Sequence, residues 1–589
     1  MGKKLLTLIL GVLVGSLITS PMFSFAQEET ASDKPEAHCD AYESDENKLS
    51  EENKKVVIVI GAGISGLSAA HHLYCKGYDI TVLEALDRTG GRINTNNSTG
   101  IPLDLGASWI HGIEESPIFK IFTDADKRGD IIITNQDSAV AYDANGENAD
   151  KKVEEFWDKI DKTFTELYEK RKTSASDNDS FELVVNEYLE TYVDTGEVEK
   201  ENFYYYLYWQ YVLDDAANPK DVSLKYRDEF AEYPSVEVVF RNGYGQVIDY
   251  LDDGLDVLTE HVVTEINYNG QKVIVSFKNA LGEQTLEADY VVSTIPLGVL
   301  KGKTETKVIF SPDITTERQD ALDHLDMGVY NKVYYIFNAT EQPFWIVDKD
   351  KDWISLIPEK GEEMGQGGIF FNFYKYTGKP ILLEFNTGDY SRQLNEKAAA
   401  YSQEKKEQDE YIAGKGLEIL EKMYPNKVPP LSDVTTLVTT WEREPYFGGS
   451  FSYFPKDANS IHFDELARPL NNADGNKVFF AGEATIQHIF STVNGAYVTG
   501  IRAAEEIQRE DKILDAPTTQ TEYGMHPAFV VCGKKEHVLI QKSTDHKPFC
   551  VAKEIADTLL KRDIGNDQMW AIKAEEFPFS EWQESSHPK

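Results

Sequence analysis

The segment KKVVIVIGAGISGLSAAHHLYCKGYDITVLEA (54–85) limits what this chain can fold into more than any other stretch. Its opening is a short β-branched apolar run, the pattern of a buried strand. Gly61, Gly63 and Gly66 follow at once. A stretch of helical periodicity then stops at Gly77, a C-cap residue. A second strand ends in Glu84, which lies 18 residues beyond Gly66. Strand, glycine turn, helix, strand and acid in this order predict a dinucleotide-binding unit. Gly61 permits the tight turn, Gly63 lets the backbone approach a pyrophosphate, and Gly66 lets helix and strand pack closely. The helix N-terminus presents free N–H groups to phosphate, and Glu84 stands where a carboxylate meets ribose hydroxyls.

The next stretch, LDRTGGRINT (86–95), adds a second glycine pair and Arg92 just past that acid. It suits a turn that brings a guanidinium onto the pyrophosphate. This continuation resembles flavoproteins of the glutathione-reductase-like superfamily, so FAD is expected rather than NAD.

At 589 residues the chain exceeds what one core usually serves, and at least two domains are expected. Its formal charge of -41 argues against a nucleic-acid partner and is compatible with a cationic one. Lys3 and Lys4 precede the apolar LLTLILGVLVGSLIT, and Ser24 and Ala26 stand at the spacing of a cleavage site. Residues 1–26 therefore read as a secretory signal, with the mature chain exported to the periplasm or the cell exterior. That apolar stretch is short for a membrane span, and no later segment approaches the ~18 apolar residues of one. Residues 27–53 are polar and acidic and read as a flexible leader. Of four cysteines, Cys75 lies on the apolar side of a predicted helix and is expected to be a buried thiol. Cys532 and Cys550 could pair in an oxidising compartment, although spacing leaves that open. No Cys/His cluster has zinc spacing, and no metal site is expected.

Seven segments carry a family resemblance: GAGISGLSAA, LEALDRTGGRINT, LDLGASWIHG, VVSTIPLGVLK, WEREPYFGGSFSYFP, FFAGEAT and STVNGAYVTGIRAAEEI. In matching order, from about residue 54 to 508, they resemble the flavin-containing amine oxidases. The closest look is to polyamine and spermine oxidases, with histone-demethylase-type amine oxidases next. The resemblance implies an α/β fold with a discontinuous, Rossmann-like FAD-binding domain (54–115, 236–300 and 437–510). An α+β substrate domain on a mixed sheet would take 116–235 and 301–436. EHVVTEINYNGQKVIVSF reads as paired strands and EEFWDKIDKTFTELYEKR (154–171) as an amphipathic helix, in keeping with that division. Residues 511–589 lie outside the resemblance and have no assigned role.

Carried onto this chain, the resemblance assigns cofactor binding to Gly61, Gly63, Ser65, Gly66, Glu84, Ala85, Arg92, Gly106, Ala107, Ser108, Trp109, Val263, Gly482, Glu483, Thr492 and Val493. Lys332, in MGVYNKVYYIF, matches a lysine held near flavin N5 through a water. A charged side chain inside an apolar strand costs desolvation unless it has a function or a partner; a solvated face of an edge strand is the alternative. Trp441 matches an aromatic residue against the isoalloxazine, and Phe451 one wall of an aromatic sandwich whose other wall is here Thr492. Ser450 stands where monoamine oxidases have a flavin-linking cysteine, so non-covalent FAD is expected. His111 matches a pocket histidine of animal polyamine oxidases, and Glu114 and Glu115 are candidates for the distal ammonium groups of a polyamine. FYYYLYWQYV (203–212) reads as packing more than as an aromatic tunnel.

The expected reaction is oxidation of an amine, with hydride transfer to flavin N5, release of an aldehyde and a shortened amine, and reduction of oxygen to hydrogen peroxide. The partners are thus a small-molecule amine and oxygen. Two alternatives stay open. An L-amino-acid oxidase of the same superfamily would need a pocket arginine, for which Arg227 and Arg241 are available. A flavin-bearing binding protein would have lost turnover.

Overall fold

A computed structural model of the chain describes Cys39 and residues 47–114, 116–124, 130–229, 235–338, 342–359, 368–522, 530–542, 547–556 and 570–573. The signal segment and most of the acidic leader lie outside the described residues. Glu115 does too.

The strand Val56–Ile60 sits in a six-stranded sheet, between Tyr290–Ser293 and Asp79–Leu83 and parallel to both. Gly475–Phe480 and Val257–Leu258 extend the sheet in parallel, and Leu470–Asn472 closes one edge antiparallel. Alternation along the central strand explains its continuous apolarity. Val57 and Val59 face one core with the helices Ile64–Cys75 and Val493–Asp511. Ile58 and Ile60 face another, shared with Val263, Ile266, Val273 and Val275 of a second, four-stranded sheet. The two helices approach at small residues. A Cβ on Gly500 would lie 2.0 Å from Ser68 Oγ, and the Ser68 hydroxyl donates to the Tyr497 carbonyl at 3.0 Å.

A second six-stranded sheet runs in the order Thr435–Val438, Tyr330–Ile336, Ile381–Thr387, Ile369–Asn372, Trp353–Leu356, Ala139–Tyr142. It is mixed, antiparallel except for the last pair. The helix Asp150–Lys172 buries Phe156, Ile160, Phe164 and Tyr168, a stripe at four-residue spacing. It packs on Phe203, Tyr206 and Tyr211, so most of FYYYLYWQYV is core, as the sequence predicts. A three-stranded sheet stitches distant segments together: Trp109–Ile110 and Ile131–Thr134 both pair antiparallel with Glu237–Phe240.

Cys75 is not a free thiol. It forms a disulfide with Cys39, and Cys532 pairs with Cys550. The helix-face reading placed Cys75 correctly in the interior, but its partner sits in the polar leader, where no local pattern marks it. The described part of the C-terminal extension packs against the parallel-sheet unit. The buried Lys76 ammonium pairs with Asp515, Tyr78 and Tyr290 donate to Asp511, and Val530 joins the helix-side core. No helix among the described residues is long and apolar enough to cross a membrane.

Candidate active site

One cavity of about 880 Å³ runs from the glycine turn to the second sheet. Its first half is shaped by missing side chains. Gly61 has φ +100° at the end of its strand, and its N–H donates to the Leu83 carbonyl at 2.8 Å. A Cβ on Gly66 would lie 1.9 Å from the Gly61 carbonyl oxygen, so this glycine serves helix packing and does not face the cavity. Gly63 is different. A Cβ there meets nothing within 4 Å, its φ of -74° suits any residue, and it lines the cavity. The helix it starts has no side-chain cap, which leaves the first-turn N–H groups for an anion. The second glycine pair closes on this turn. The Gly90 N–H donates to the Ala62 carbonyl at 2.8 Å, and a Cβ on Gly91 would lie 3.3 Å from Gly63 Cα.

Around this cradle stand Ser65, Glu84, Ala85, Arg92, Val263, Gly482, Glu483 and Val493, all lining the same cavity. Glu84 accepts from the Ala62 N–H (2.6 Å) and the Leu86 N–H (2.9 Å), and burial pushes its carboxyl up. Arg92 donates to Glu483 Oε1 at 2.7 Å and to the Ser450 carbonyl at 3.0 Å. The other Glu483 oxygen accepts from the Ser452 hydroxyl (2.6 Å) and the Ser491 N–H (3.2 Å), which ties three loops around the cavity. Thr492 caps the helix Val493–Asp511: its oxygen accepts from the Gly495 N–H at 2.8 Å and its hydroxyl donates to the Ile489 carbonyl.

At the far end lies Lys332, in the second position of the mixed sheet rather than on an edge, and 4% exposed. The solvated-face alternative is therefore excluded. Its ammonium donates to the carbonyls of Asp104 (3.1 Å) and Gly106 (2.5 Å) and to Ser108 Oγ (2.5 Å). Burial pushes the amine down to about 7, against the pull of Asp104; burial likewise pushes Asp104 up. The segment Gly106–Trp109 therefore forms both the cavity wall and the holder of the lysine. Trp441, 6% exposed, and Phe451 line the same end.

The lowered amine makes a stability prediction. Unfolded, Lys332 titrates near 10.4, so above pH 7 the unfolded chain binds more protons and stability rises with pH towards that value. The cost of burying the charge is full below about 7. Lys332→Met removes it. The melting temperature of the variant relative to wild type should be most favourable at pH 6.5 and fall steadily by pH 9.5. A difference constant with pH would place the charge in solvent.

Residues not singled out from sequence complete the cavity. Tyr330 precedes Lys332 by two on the same strand face, and its ring centroid lies 5.7 Å from that of Phe451. It supplies an aromatic partner for Phe451 that Thr492 does not. Asp214, Asp215, Asp228 and Glu237 make one wall acidic, and His111 lies there too, half exposed. Glu114 does not line the cavity. The chain turns out of the sheet at Gly112, φ +73°, and leaves Glu114 in solvent. Arg227 reaches the wall, but it donates to Asp215 at 3.1 Å and stacks over Tyr211 and Phe181. Arg241 is exposed and does not line the cavity.

Away from the cavity, Asp320, His324 and His462 come together. Their imidazoles stack at 4.4 Å and 8°, and His462 Nδ1 accepts the Asn459 N–H.

Comparison with known proteins agrees with this geometry. A family model described as "Flavin containing amine oxidoreductase" matches residues 64–508. The chain is 30% identical to Polyamine oxidase 2 of Arabidopsis thaliana, over 76% of this chain and 87% of that one. It is 28% identical to Polyamine oxidase 3 of Oryza sativa subsp. japonica, over 78% and 90% respectively. It is also 30% identical to Lysine-specific histone demethylase 1 homolog 3 of Arabidopsis thaliana, over 77% of this chain but only 30% of that protein. An uncapped helix N-terminus behind an open glycine, an acid one strand on, and a buried lysine beyond all fit a flavin dinucleotide laid along the cavity. The chain belongs to the flavin-containing amine oxidoreductase family and is an FAD-dependent oxidoreductase.

Proposed function

We propose that the protein oxidises polyamines of the spermine and spermidine type, with FAD bound non-covalently. The observation that carries this reading is the pairing of an aromatic passage, Tyr330 and Phe451, with an acidic wall in one cavity. A polyamine needs both: apolar walls for its methylenes and carboxylates for its distal ammonium groups. Arg227 is engaged with Asp215, which among the described residues leaves the acidic wall without a free arginine for an amino-acid carboxylate and weighs against an L-amino-acid oxidase.

Bound FAD would supply the acceptor for two electrons and a hydrogen from the amine's α-carbon, and oxygen would then take the electrons as hydrogen peroxide. The protein supplies the setting. Gly63 and the first-turn N–H groups of Ile64–Cys75 hold the pyrophosphate, and Glu84 the ribose. The N-terminus of Val493–Asp511, capped by Thr492, presents its positive dipole end to the cavity, where it favours negative charge. Lys332 holds a proton or a water at the end next to Trp441. Tyr330 and Phe451 orient the amine and exclude water. Non-covalent binding is supported by Ser450, whose hydroxyl is committed to the Tyr330 backbone, and by the cysteines, all four in disulfides. Two disulfides also support export into an oxidising compartment.

The test is a peroxide assay over spermine, spermidine, benzylamine and L-amino acids. Spermine or spermidine should have the highest kcat/KM, with a steeper fall in added salt than benzylamine, because an acidic mouth attracts a polycation over a Debye length of about 8 Å. Preference for an L-amino acid would overturn the reading.

A further inference from the structure

Two backbone segments 126 residues apart meet at the acidic wall. Trp109 pairs with Val239 and Ile110 with Val238, so continuing the antiparallel register sets His111 opposite Glu237. On the other side Thr134 pairs with Glu237, and the chain carries Gln136 back to it. His111 Nδ1 lies 2.9 Å from Glu237 Oε1, and Gln136 Nε2 donates to the same oxygen at 3.0 Å. All three line the cavity. Glu237 Oε2 has no protein donor among the described residues, whereas two other acids of the wall hold cations of their own: Asp215 takes Arg227 and Asp228 takes Lys172.

We propose that the His111–Glu237 pair is a specificity-determining element that reads the distal ammonium of the substrate and is switched by protonation of His111. The proposal rests on the polyamine reading above. With His111 neutral, its Nδ1–H donates to Oε1, Gln136 fixes the carboxylate in place, and Oε2 keeps a full negative charge for an ammonium group. With His111 protonated, the pair is net neutral and that attraction is lost. Burial works against ionisation of Glu237, yet the hydrogen bond and charge of His111, with the Gln136 amide, outweigh it and hold the carboxyl below its usual range. Glu237 is thus the ionised member of the pair above the ordinary carboxylate range. Among the described residues, Asp214 lines the same wall, Tyr330 lies close enough to interact electrostatically with both Asp214 and Glu237, and the Asp352–Lys375 pair stands behind Asn135. Tyr330 stays neutral throughout, because burial raises its hydroxyl well above the usual range.

The experiment measures kcat and KM for spermine and benzylamine at pH 6 and pH 8.5, in wild type, Glu237→Gln and His111→Asn. Bound flavin and melting temperature serve as folding checks. Comparing variants at one pH cancels ionisation of the amine itself. Glu237→Gln should raise KM for spermine about tenfold at pH 8.5, the loss of one charge-assisted hydrogen bond, with KM moved far more than kcat and with a much smaller effect on benzylamine, which has no distal ammonium. His111→Asn should act differently, keeping the low spermine KM and holding it down to pH 6, where the wild-type KM has risen. If wild type prefers spermine but Glu237→Gln keeps the wild-type KM, or His111→Asn keeps the wild-type pH response, this inference is wrong and the polyamine reading stands. If wild type prefers benzylamine, the polyamine reading fails and takes this inference with it.

Discussion

Gly63→Val should give a folded but colourless protein. The backbone at Gly63 suits valine, and a Cβ added there meets no protein atom within 4 Å. What it does meet is the space in front of an uncapped helix N-terminus, where the cofactor's phosphates need close backbone approach. The expected outcome is a melting temperature within a few degrees of the wild-type apoprotein and no flavin absorbance after purification, a loss of affinity of at least 10²-fold for about 3 kcal/mol of lost phosphate contacts. Gly66→Val, three residues on, should fail in another way. Its Cβ alone would lie 1.9 Å from the Gly61 carbonyl, so strand and helix separate and the protein should not accumulate in folded form. A yellow Gly63→Val protein with wild-type flavin content would show that the cradle holds no pyrophosphate.

Lys332→Met should retain FAD and lose turnover. The methionine fills the volume of the lysine stem, while the acceptors at Asp104, Gly106 and Ser108 lose their donor. Stopped-flow traces should show either flavin reduction or reoxidation slowed by about 10²-fold, the scale of a displaced proton carrier or ordered water. Wild-type rates in both half-reactions would remove Lys332 from the chemistry and leave it a structural tie between the sheet and the loop 104–108.

The two kinds of legibility behind these predictions differ. Gly63 and Lys332 stand out in sequence because each violates its local setting: a glycine run after a strand, a charge inside an apolar strand. Tyr330 violates nothing. In VYNKVYYIF it looks like one more core aromatic, and only its place in the sheet, on the face of Lys332 and beside Phe451, turns it to the cavity. Glu237 was invisible for a different reason. Its meaning lies in a strand register with residues 109–110 and 131–134, which no window of neighbouring residues contains. Glu114 and Glu115 were plausible as a pair next to His111, but strand alternation ends at Gly112 and sends Glu114 to solvent, while Glu115 lies outside the described residues. The Rossmann-like unit itself was readable almost residue by residue, because both of its faces are buried and its strand alternates between two cores. The tail was not, since its attachment depends on Lys76 and Asp515, a buried pair split between the first helix and the extension.

The decisive observation is spectroscopic. Purified protein is made anaerobic, its flavin absorbance near 450 nm is recorded, and spermine is added in slight excess. If the acidic wall, the aromatic passage and the glycine cradle serve one reaction, the band should bleach within seconds and return on admitting air, with one equivalent of hydrogen peroxide formed per equivalent of C–N bond oxidised. A band that spermine leaves intact, in protein that carries flavin at full occupancy, would contradict the account.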